Sequence, residues 1–590
     1  MNDIKKDLPE GVVGPFFNDR FDDVYGNIYA ITGESFSYEE KRQYAEKIKL
    51  RFYGIPDVKK VELVGVQPEK IYVQMDTDKL AQLGLDINSL ASMIKAQTAV
   101  TPSGMVETES NNTYLRITGS PDSLENIRSI PINGNGKVFR LGDVAQVTRG
   151  YADPPEYKMY FNGEPAVGIA ISMADGGNNI QLGENLAVEI EKIKKTLPLG
   201  LEIGQVANQP EVVKKSIDEF SESLYEAILI VLAISLFTLG KRCGYIISVC
   251  IPLILLGSFC FMYAMKIDLH KISLGALILS LGMLVDDAIV VVELMEVKIS
   301  EGWERAKAAT YAFKTCAWPL LTGTVITCLG FMPIAFSDSS SSEFCQALFP
   351  VMTITLLLSW LISATLAPVL GYAWLRPTVI QKESYDSPFY KKFRNLLTFS
   401  LKNRALVLGV TFGLFVASIF MMRFIRQEFF PASVRPDLLV ELNLPEGSSL
   451  KTTDAAAEKL TKLILNDEDL DRVSTYVGKS APRFVLVMDP VQPRDNYAQL
   501  VVVAKDIEGR KRLEKKIAQL TQEHLPEVIS ISRSIPLGPP APYPVMIRVK
   551  GSDAELVKEY AQKVRNVMTA NPNVTQTRYD WMEQDRKSVV

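Results

Sequence analysis

GMLVDDAIVVVE, residues 282–293, places two adjacent aspartates near the middle of a long apolar run. The run extends over residues 272–296, and a membrane span needs about 20 mainly apolar residues. One charged Asp at the centre of a span costs about 2.5–3.5 kcal/mol on insertion scales. Because helix packing does not require charged residues at this depth, their cost predicts that Asp286 and Asp287 are functional. A buried, hydrogen-bonded pair that joins helices is the structural alternative.

The paired aspartates favour proton chemistry. Burial and a neighbouring carboxyl group both disfavour the charged form of a carboxylic acid, so such a pair exchanges protons near neutral pH. Glu293 lies seven residues further along the same run. It is predicted to be an interfacial charge near the cytoplasmic end of the span. The run is therefore a candidate proton site inside a membrane protein.

Apolar segments of spanning length concentrate in the middle of the chain. Six are predicted to cross the membrane: 224–240, 244–265, 272–296, 317–336, 344–375 and 405–422. The first, third and fifth connections between them carry most of the Lys and Arg residues, whereas the fourth, 337–343, carries none. Because basic loops stay in the cytoplasm, both large flanks, 1–223 and 423–590, are predicted to lie outside.

The composition argues against several other classes of protein. The chain has 64 basic and 68 acidic residues, and this near-balance gives no reason to expect a nucleic-acid partner. All six cysteines lie between 243 and 345, so the flanks cannot hold an intrachain disulfide. These cysteines are predicted to be small apolar fillers in buried helices. His270 and His524 are the two histidines, too few for the usual His/Cys metal site.

The two flanks resemble each other at a fixed interval. YAEKI at 44–48 recurs as YAQKV at 560–564, 516 residues later, and Pro56 and Pro572 have the same separation. Such self-similarity indicates duplication, and duplicated sets of spans are typical of transporters. We therefore expect the chain to be an internal fragment of a parent with about 1,030 residues and about twelve spans. The counterpart of span 405–422 is expected to precede residue 1.

The flanks alternate strand-like and helix-like segments. Residues 36–52 have helical spacing, and residues 58–74 are predicted to form a hairpin around Gly65. Similar alternation at 155–205 and 432–530 predicts small ferredoxin-like units. Residues 97–152 are richer in Thr, Ser, Asn and Gly, which predicts an inserted β-rich subdomain. The predicted fold is thus a membrane α-helical bundle with α+β ferredoxin-like external subdomains.

GMLVDDAIVVVE resembles the fourth-span signature of the resistance-nodulation-division (RND) permeases of the hydrophobe/amphiphile efflux type. RLGDVAQV at 140–147 and the neighbourhood of Asn178 and Asn179 resemble the periplasmic region of that family. The resemblance covers essentially the whole chain. It implies that Asp286 and Asp287 are the proton-relay carboxylates. A lysine and a threonine complete the relay in the family, and both positions lie beyond Val590.

The resemblance also implies a function and an assembly. The chain would be a subunit of a proton-driven antiporter in the bacterial inner membrane that exports hydrophobic or amphiphilic compounds. It would be a secondary active transporter, not an enzyme, powered by the proton motive force without a cofactor or metal. Its partners would be two further copies in a homotrimer, a periplasmic adaptor (membrane fusion) protein and an outer-membrane channel. Each protomer would cycle through access, binding and extrusion states.

Domain boundaries follow from the same resemblance. The predicted domains are the end of a first porter subdomain (1–17), a second porter subdomain in two parts (18–65 and 152–215), a docking-type β-rich insertion (66–151), the six spans (224–422), a third porter subdomain (432–530) and a truncated next porter subdomain (531–590).

Aromatic side chains line the substrate cleft in this family. By rough alignment Phe21, Tyr476 and Phe484 are candidate substrate-binding residues. Val64 falls where some members have phenylalanine, which is a departure from the family's pocket. Ordinary core packing is the alternative interpretation for these aromatics.

Three other functions are alternatives to drug export. A heavy-metal RND exporter usually has a single acid followed by alanine at the signature, and its soft metal would favour clustered external methionines. An intramembrane aspartyl protease needs carboxylates from two helices, whereas adjacent residues on one helix diverge by about 100°. An RND-like lipid carrier or protein-translocation accessory shares the proton chemistry, and only substrate assays separate it from a drug exporter.

Overall fold

The computed structural model describes residues 23–82, 86–98, 102–107, 112–116, 123–134, 137–238, 240–376, 388–425, 433–538, 543, 545–574 and 577–579. The chain divides into two compact units. One lies within residues 1–210, 434–535 and 547–590, and the other within 211–433 and 536–546. The predicted first-porter segment 1–17 and Phe21 lie outside the described residues.

The first flank has a helix-and-strand order interrupted by a long insertion. Its elements are β1 (Asn27–Thr32), α1 (Tyr38–Phe52), β2 (Val58–Val64), β3 (Glu69–Met75), α2 (Thr77–Gln82), α3 (Ile87–Thr98), β4 (Pro102–Glu107), β5 (Asn112–Arg116), α4 (Leu124–Arg128), β6 (Pro131–Gly134), β7 (Lys137–Arg140), α5 (Leu141–Val144), β8 (Ala145–Tyr151), β9 (Lys158–Phe161), β10 (Glu164–Pro165), β11 (Val167–Met173), α6 (Asn179–Lys194) and β12 (Glu202–Asn208).

The middle of the chain is helical, and the second flank returns to alternation. The helices are α7 (Gln209–Thr238), α8 (Gly240–Ala264), α9 (Lys271–Ser300), α10 (Arg305–Phe336), α11 (Ser340–Cys345), α12 (Leu348–Trp374), α13 (Pro388–Lys402) and α14 (Arg404–Met422). They are followed by β13 (Asp437–Asn443), α15 (Leu450–Ile464), β14 (Leu470–Val477), β15 (Tyr497–Ala504), α16 (Ile507–His524), β16 (Ile529–Ser534) and α17 (Ala554–Thr569).

The first sheet has four antiparallel strands in the order β12-β1-β11-β2. With α1 and α6 its chain order is β-α-β-β-α-β, and the insertion separates β2 from β11. The capping box of Ser37 and Glu40 starts α1, which satisfies backbone N–H groups that have no partner inside the helix. The helix then buries Ala45, Ile48 and Phe52 in a core with Leu182 and Leu186 of α6.

The second sheet repeats this topology. Its order is β10-β9-β14-β15-β13-β16, so β13, β14, β15 and β16 occupy the positions that β1, β2, β11 and β12 have in the first sheet. All eight residues of β15 are buried, since the strand lies in the middle of the sheet with residues in two cores. Leu500 and Val502 contribute to the core that includes α15 and α16. Val501 contributes to a separate core shared with residues of the first sheet.

The short β9–β10 hairpin extends the second sheet, although its sequence neighbours belong to the first. β9 pairs with β14, and side chains of β9 fit against glycines of the first sheet. A Cβ atom at Gly168 would lie 2.6 Å from Sδ of Met159, and one at Gly204 would lie 2.4 Å from Cε1 of Phe161. Because both distances are far below normal contact, these glycines permit the close approach of the two sheets.

The predicted hairpin at 58–74 is wrong. β2 pairs with β11, and β3 pairs with β8, so the two strands belong to different sheets. The intervening turn contains Gly65 at a φ of +74° and Gln67, whose side chain donates to the Tyr157 carbonyl. A turn signal is local, whereas the β3–β8 pairing joins residues 70–82 positions apart and the β2–β11 pairing joins residues 104–115 positions apart.

The insertion contains helices as well as strands. β3 and β8, β4 and β5, and β6 and β7 form three two-stranded antiparallel ladders. A small core includes Leu90 of α3, Ile132 of β6, Leu141 of α5 and Val147 of β8. The described part of 97–152 thus has the strands expected of it, together with α4 and α5.

Within the described residues, six helices are long and apolar enough to cross a membrane: Gln209–Phe237, Gly240–Ala264, Lys271–Ser300, Arg305–Phe336, Ser342–Trp374 and Arg404–Met422. Each predicted span overlaps one of these helices. The main differences are at the N-termini of the first and fourth helices, where polar residues continue the helix beyond its apolar part.

The helical unit has its own core, and four of the six cysteines are buried. Buried residues of α8, α9 and α12 form much of the core, including Ile247, Leu277 and Val351. Cys243, Cys250, Cys316 and Cys328 are buried, as expected of apolar fillers, whereas Cys260 is exposed and Cys345 is partly exposed. That interpretation is therefore wrong for Cys260, which lies on an outer face of α8.

Candidate functional site

Helix α9 carries the paired aspartates. Its N-terminus is capped by His270, whose Nδ1 accepts from the backbone N–H of Ile272 at 3.3 Å. Asp286 and Asp287 follow four turns later, and their side chains leave the helix in different directions. Asp286 is exposed and Asp287 is partly buried in the described structure. The two carboxylates therefore face different surroundings although they are adjacent in sequence.

Polar groups of two neighbouring helices lie close to this pair. The Thr324 hydroxyl of α10 is within hydrogen-bonding reach of Asp287, and it also lies 2.9 Å from the Leu320 carbonyl. From α12, the buried Ser359 hydroxyl donates to the Leu284 carbonyl at 2.6 Å. Leu284 precedes Asp286 by two residues, so this bond attaches α12 to α9 beside the aspartates. Sequence reasoning missed Thr324 and Ser359, because a hydroxyl in an apolar span gives no signal of its neighbour.

Two further acids lie towards the C-terminal end of α9. Glu293 is exposed, and because seven residues make nearly two turns it lies on the same face as Asp286. Glu296 is partly buried, and its Oε2 accepts a hydrogen bond from Sγ of Cys243 on α8 at 3.0 Å. The sequence prediction considered Glu293 and overlooked Glu296.

The predicted cleft aromatics lie in the core shared by residues of the two sheets. Tyr476 on β14 and Phe484 after it are each about 1% exposed. They belong to one apolar cluster with Tyr25, Met159 and Val64. Burial raises the pKa of Tyr476, which keeps its hydroxyl uncharged. The structure thus brings the two aromatics and Val64 together in one buried apolar core.

Polar contacts at the edge of the second sheet secure the β9–β10 hairpin. Lys158 donates to Asp454 of α15 at 2.6 Å, and the Tyr160 hydroxyl donates to the same carboxylate at 2.8 Å. Burial, followed by the contact with Asp454, raises the pKa of Tyr160. From α1, which packs with the first sheet, the Lys41 ammonium donates to the Pro165 carbonyl at 2.8 Å. The hairpin is therefore held from both sides.

Metal ligands do not cluster in the part of the chain that the structure describes: its residues contain no group of three or more His, Cys, Asp or Glu side chains that could hold a metal ion.

The whole chain matches one protein family. The model of the AcrB/AcrD/AcrF family matches residues 1–590. Curated relatives include the multidrug resistance protein MdtC of Serratia proteamaculans (strain 568), which is 24% identical over 578 residues, covering 95% of this chain and 55% of the relative. MdtC of Yersinia enterocolitica serotype O:8 / biotype 1B is 22% identical over 577 residues, with the same coverage. The chain spans about half the length of these relatives.

Proposed function

We propose a function from one premise: the chain belongs to the AcrB/AcrD/AcrF family. This is a family of RND efflux permeases, which are transporters, and the six apolar helices make the chain part of a multi-pass membrane protein. Its function is proposed to be proton-driven export of hydrophobic or amphiphilic compounds from the periplasm or the membrane. The relatives named as multidrug resistance proteins support this substrate class.

The observation that carries the proposal is the pair of carboxylates in the middle of α9. Asp287 is partly buried beside Thr324, whereas Asp286 lies on the exposed face of the helix. A charge facing hydrocarbon at this depth costs about 2.5–3.5 kcal/mol. The proposal therefore requires protein or water to cover the Asp286 face, and further spans of the whole transporter would supply that cover together with the remaining relay residues.

In the proposed mechanism, protonation of Asp286 and Asp287 removes their charge and lets the spans shift. Each proton that moves down 100 mV contributes about 2.3 kcal/mol. A coupling free energy of about 1–3 kcal/mol changes an affinity about 5- to 150-fold. One proton therefore suffices to convert a tight substrate site into a weak one.

The external sheets are proposed to be ferredoxin-like porter subdomains. Their shared β-α-β-β-α-β order supports this assignment. Substrate would enter where the two sheets meet, at the cluster that contains Tyr476 and Phe484. The assembly is proposed to be a homotrimer in the bacterial inner membrane with its sheets in the periplasm, joined to an adaptor protein and an outer-membrane channel.

The test uses the proposed parent transporter, which would contain this chain, in an efflux-deficient host. Accumulation of a lipophilic dye is measured for wild type, Asp286→Asn and Asp287→Asn at matched membrane expression. Glu293→Gln is the control, since it removes a carboxylate from the exposed face of the same helix. Cells that express either Asn variant should accumulate as much dye as wild-type cells treated with an uncoupler. Cells that express the Glu293→Gln control should continue to export the dye.

Two results would contradict the proposal in different ways. Export by either Asn variant would mean that its carboxylate is structural and that the energy source lies elsewhere. A wild-type protein that moves no dye would refute drug efflux and favour the handling of lipid or protein.

A further inference from the structure

Residue Gln209 stands at a junction of three elements. It follows β12 of the first sheet directly and is the first residue of α7, the helix that contains the first candidate span. Its backbone N–H donates to the Gly26 carbonyl at 2.8 Å, just before β1. A Cβ atom at Gly26 would lie 3.1 Å from Cβ of Gln209, so the close approach depends on that glycine.

The side chain of Gln209 is held by Arg435, which lies two residues before β13 of the second sheet. Nη1 of Arg435 donates to Oε1 of Gln209 at 2.7 Å, and Nε of Arg435 donates to Asp437 of β13 at 2.8 Å. The Arg435 carbonyl accepts from Nη1 of Arg510 on α16 at 2.6 Å. These contacts connect the start of α7 with a strand and a helix of the second sheet, across 226 residues of sequence.

Arg435 also touches the predicted substrate-facing core. Its guanidinium carbon lies 5.9 Å from the ring centroid of Phe484, within the range of a cation–π interaction. Arg435 is about 7% exposed and Asp437 about 6%. A guanidinium group has a planar set of donors in fixed directions, so a displacement of Gln209 requires Arg435 to move or to lose a hydrogen bond. Movement of Arg435 alters the packing of Phe484.

We propose that the Gln209–Arg435–Asp437 clamp is a positioning device for transport, which passes movement of α7 to the second sheet and to Phe484 in the connection between β14 and β15. This inference rests on the proposed function. It assigns to Arg435 a role in coupling that is separate from proton binding at α9 and from direct substrate contact.

The experiment uses the proposed parent transporter, which would contain this chain, in proteoliposomes with an imposed proton gradient. The variants are Gln209→Ala, Gln209→Glu and the double variant Arg435→Gln/Asp437→Asn, which removes the clamp without leaving a buried charge unpaired. The double variant Arg533→Gln/Glu441→Gln is the matched control, because it removes an ion pair of the same sheet, between β16 and β13, and likewise leaves no buried charge unpaired. Transport rate, dye affinity without a gradient, and amide hydrogen exchange are measured for each.

We expect Gln209→Ala and the double variant to lower the gradient-driven rate roughly tenfold while dye affinity changes less than about threefold. Gln209→Glu should retain the rate, since a carboxylate also accepts from Arg435. The Arg533→Gln/Glu441→Gln control should keep its rate. Equal losses in control and clamp variants, or normal transport by Gln209→Ala, would overturn the coupling role.

Hydrogen exchange separates this inference from the proposed function. In Gln209→Ala, exchange should become faster in the first turn of α7 and at the start of β13. If wild type moves no dye, the proposed function fails, and unchanged exchange in the variant would independently show that the clamp does not join these elements.

Discussion

Replacing Gly204 by alanine tests how tightly the two sheets meet. The new Cβ atom would lie 2.4 Å from Cε1 and 2.9 Å from Cζ of Phe161, whereas carbon atoms prefer about 3.5–4.0 Å. The ring must therefore retreat by about 1 Å. It cannot do so freely, because Phe161 lies in β9 opposite Ser474 of β14. Overpacking of this kind costs about 1–3 kcal/mol, and we expect the melting temperature of the full chain to fall by a few degrees.

The same substitution made in a Phe161→Ala variant shows whether the clash causes the loss of stability. In Phe161→Ala the ring is absent, so adding Gly204→Ala should lower the melting temperature no further. Gly150→Ala is the control, since its Cβ atom would meet Cε2 of Tyr72 at an ordinary 3.4 Å. Equal destabilisation by Gly204→Ala in the presence and absence of the Phe161 ring would refute the account of the packing between these sheets.

Two further predictions concern ion pairs of the flanks. Asp454→Asn removes the charge that Lys158 contacts at 2.6 Å, and thermal unfolding should show a loss of about 1–2 kcal/mol in a partly buried setting; an unchanged melting temperature would contradict this. Hydrogen bonding from Arg42 lowers the pKa of Glu39 to about 2 from the ordinary 4.5, so its stabilisation is present above pH 4.5 and is lost as pH falls towards 2. Glu39→Gln should therefore melt below wild type at pH 7 and close to it near pH 2, and a pH-independent difference would rule out this pair as the source.

The sequence was most informative where a property is local. The six spans could be predicted, because about twenty consecutive apolar residues have few alternatives to a membrane helix. Asp286 and Asp287 could be singled out, because a charged residue within such a run is costly wherever the helix lies. The helix at 36–52 could be predicted from its spacing, and the structure begins it at the cap formed by Ser37.

The tertiary structure decided which of these helices and strands pair or pack together. β2 pairs with β11 rather than β3, and β9 joins the second sheet through β14. Tyr476 and Phe484 are buried together with Met159 in one core. No periodicity in the sequence indicates such partners, because strand pairing and core contacts depend on the complementary surfaces of segments that lie from 104 to 319 residues apart in these two pairings. The hydrogen bond between Gln209 and Arg435 has the same origin: each residue is unremarkable alone, and the fold brings them within 2.7 Å.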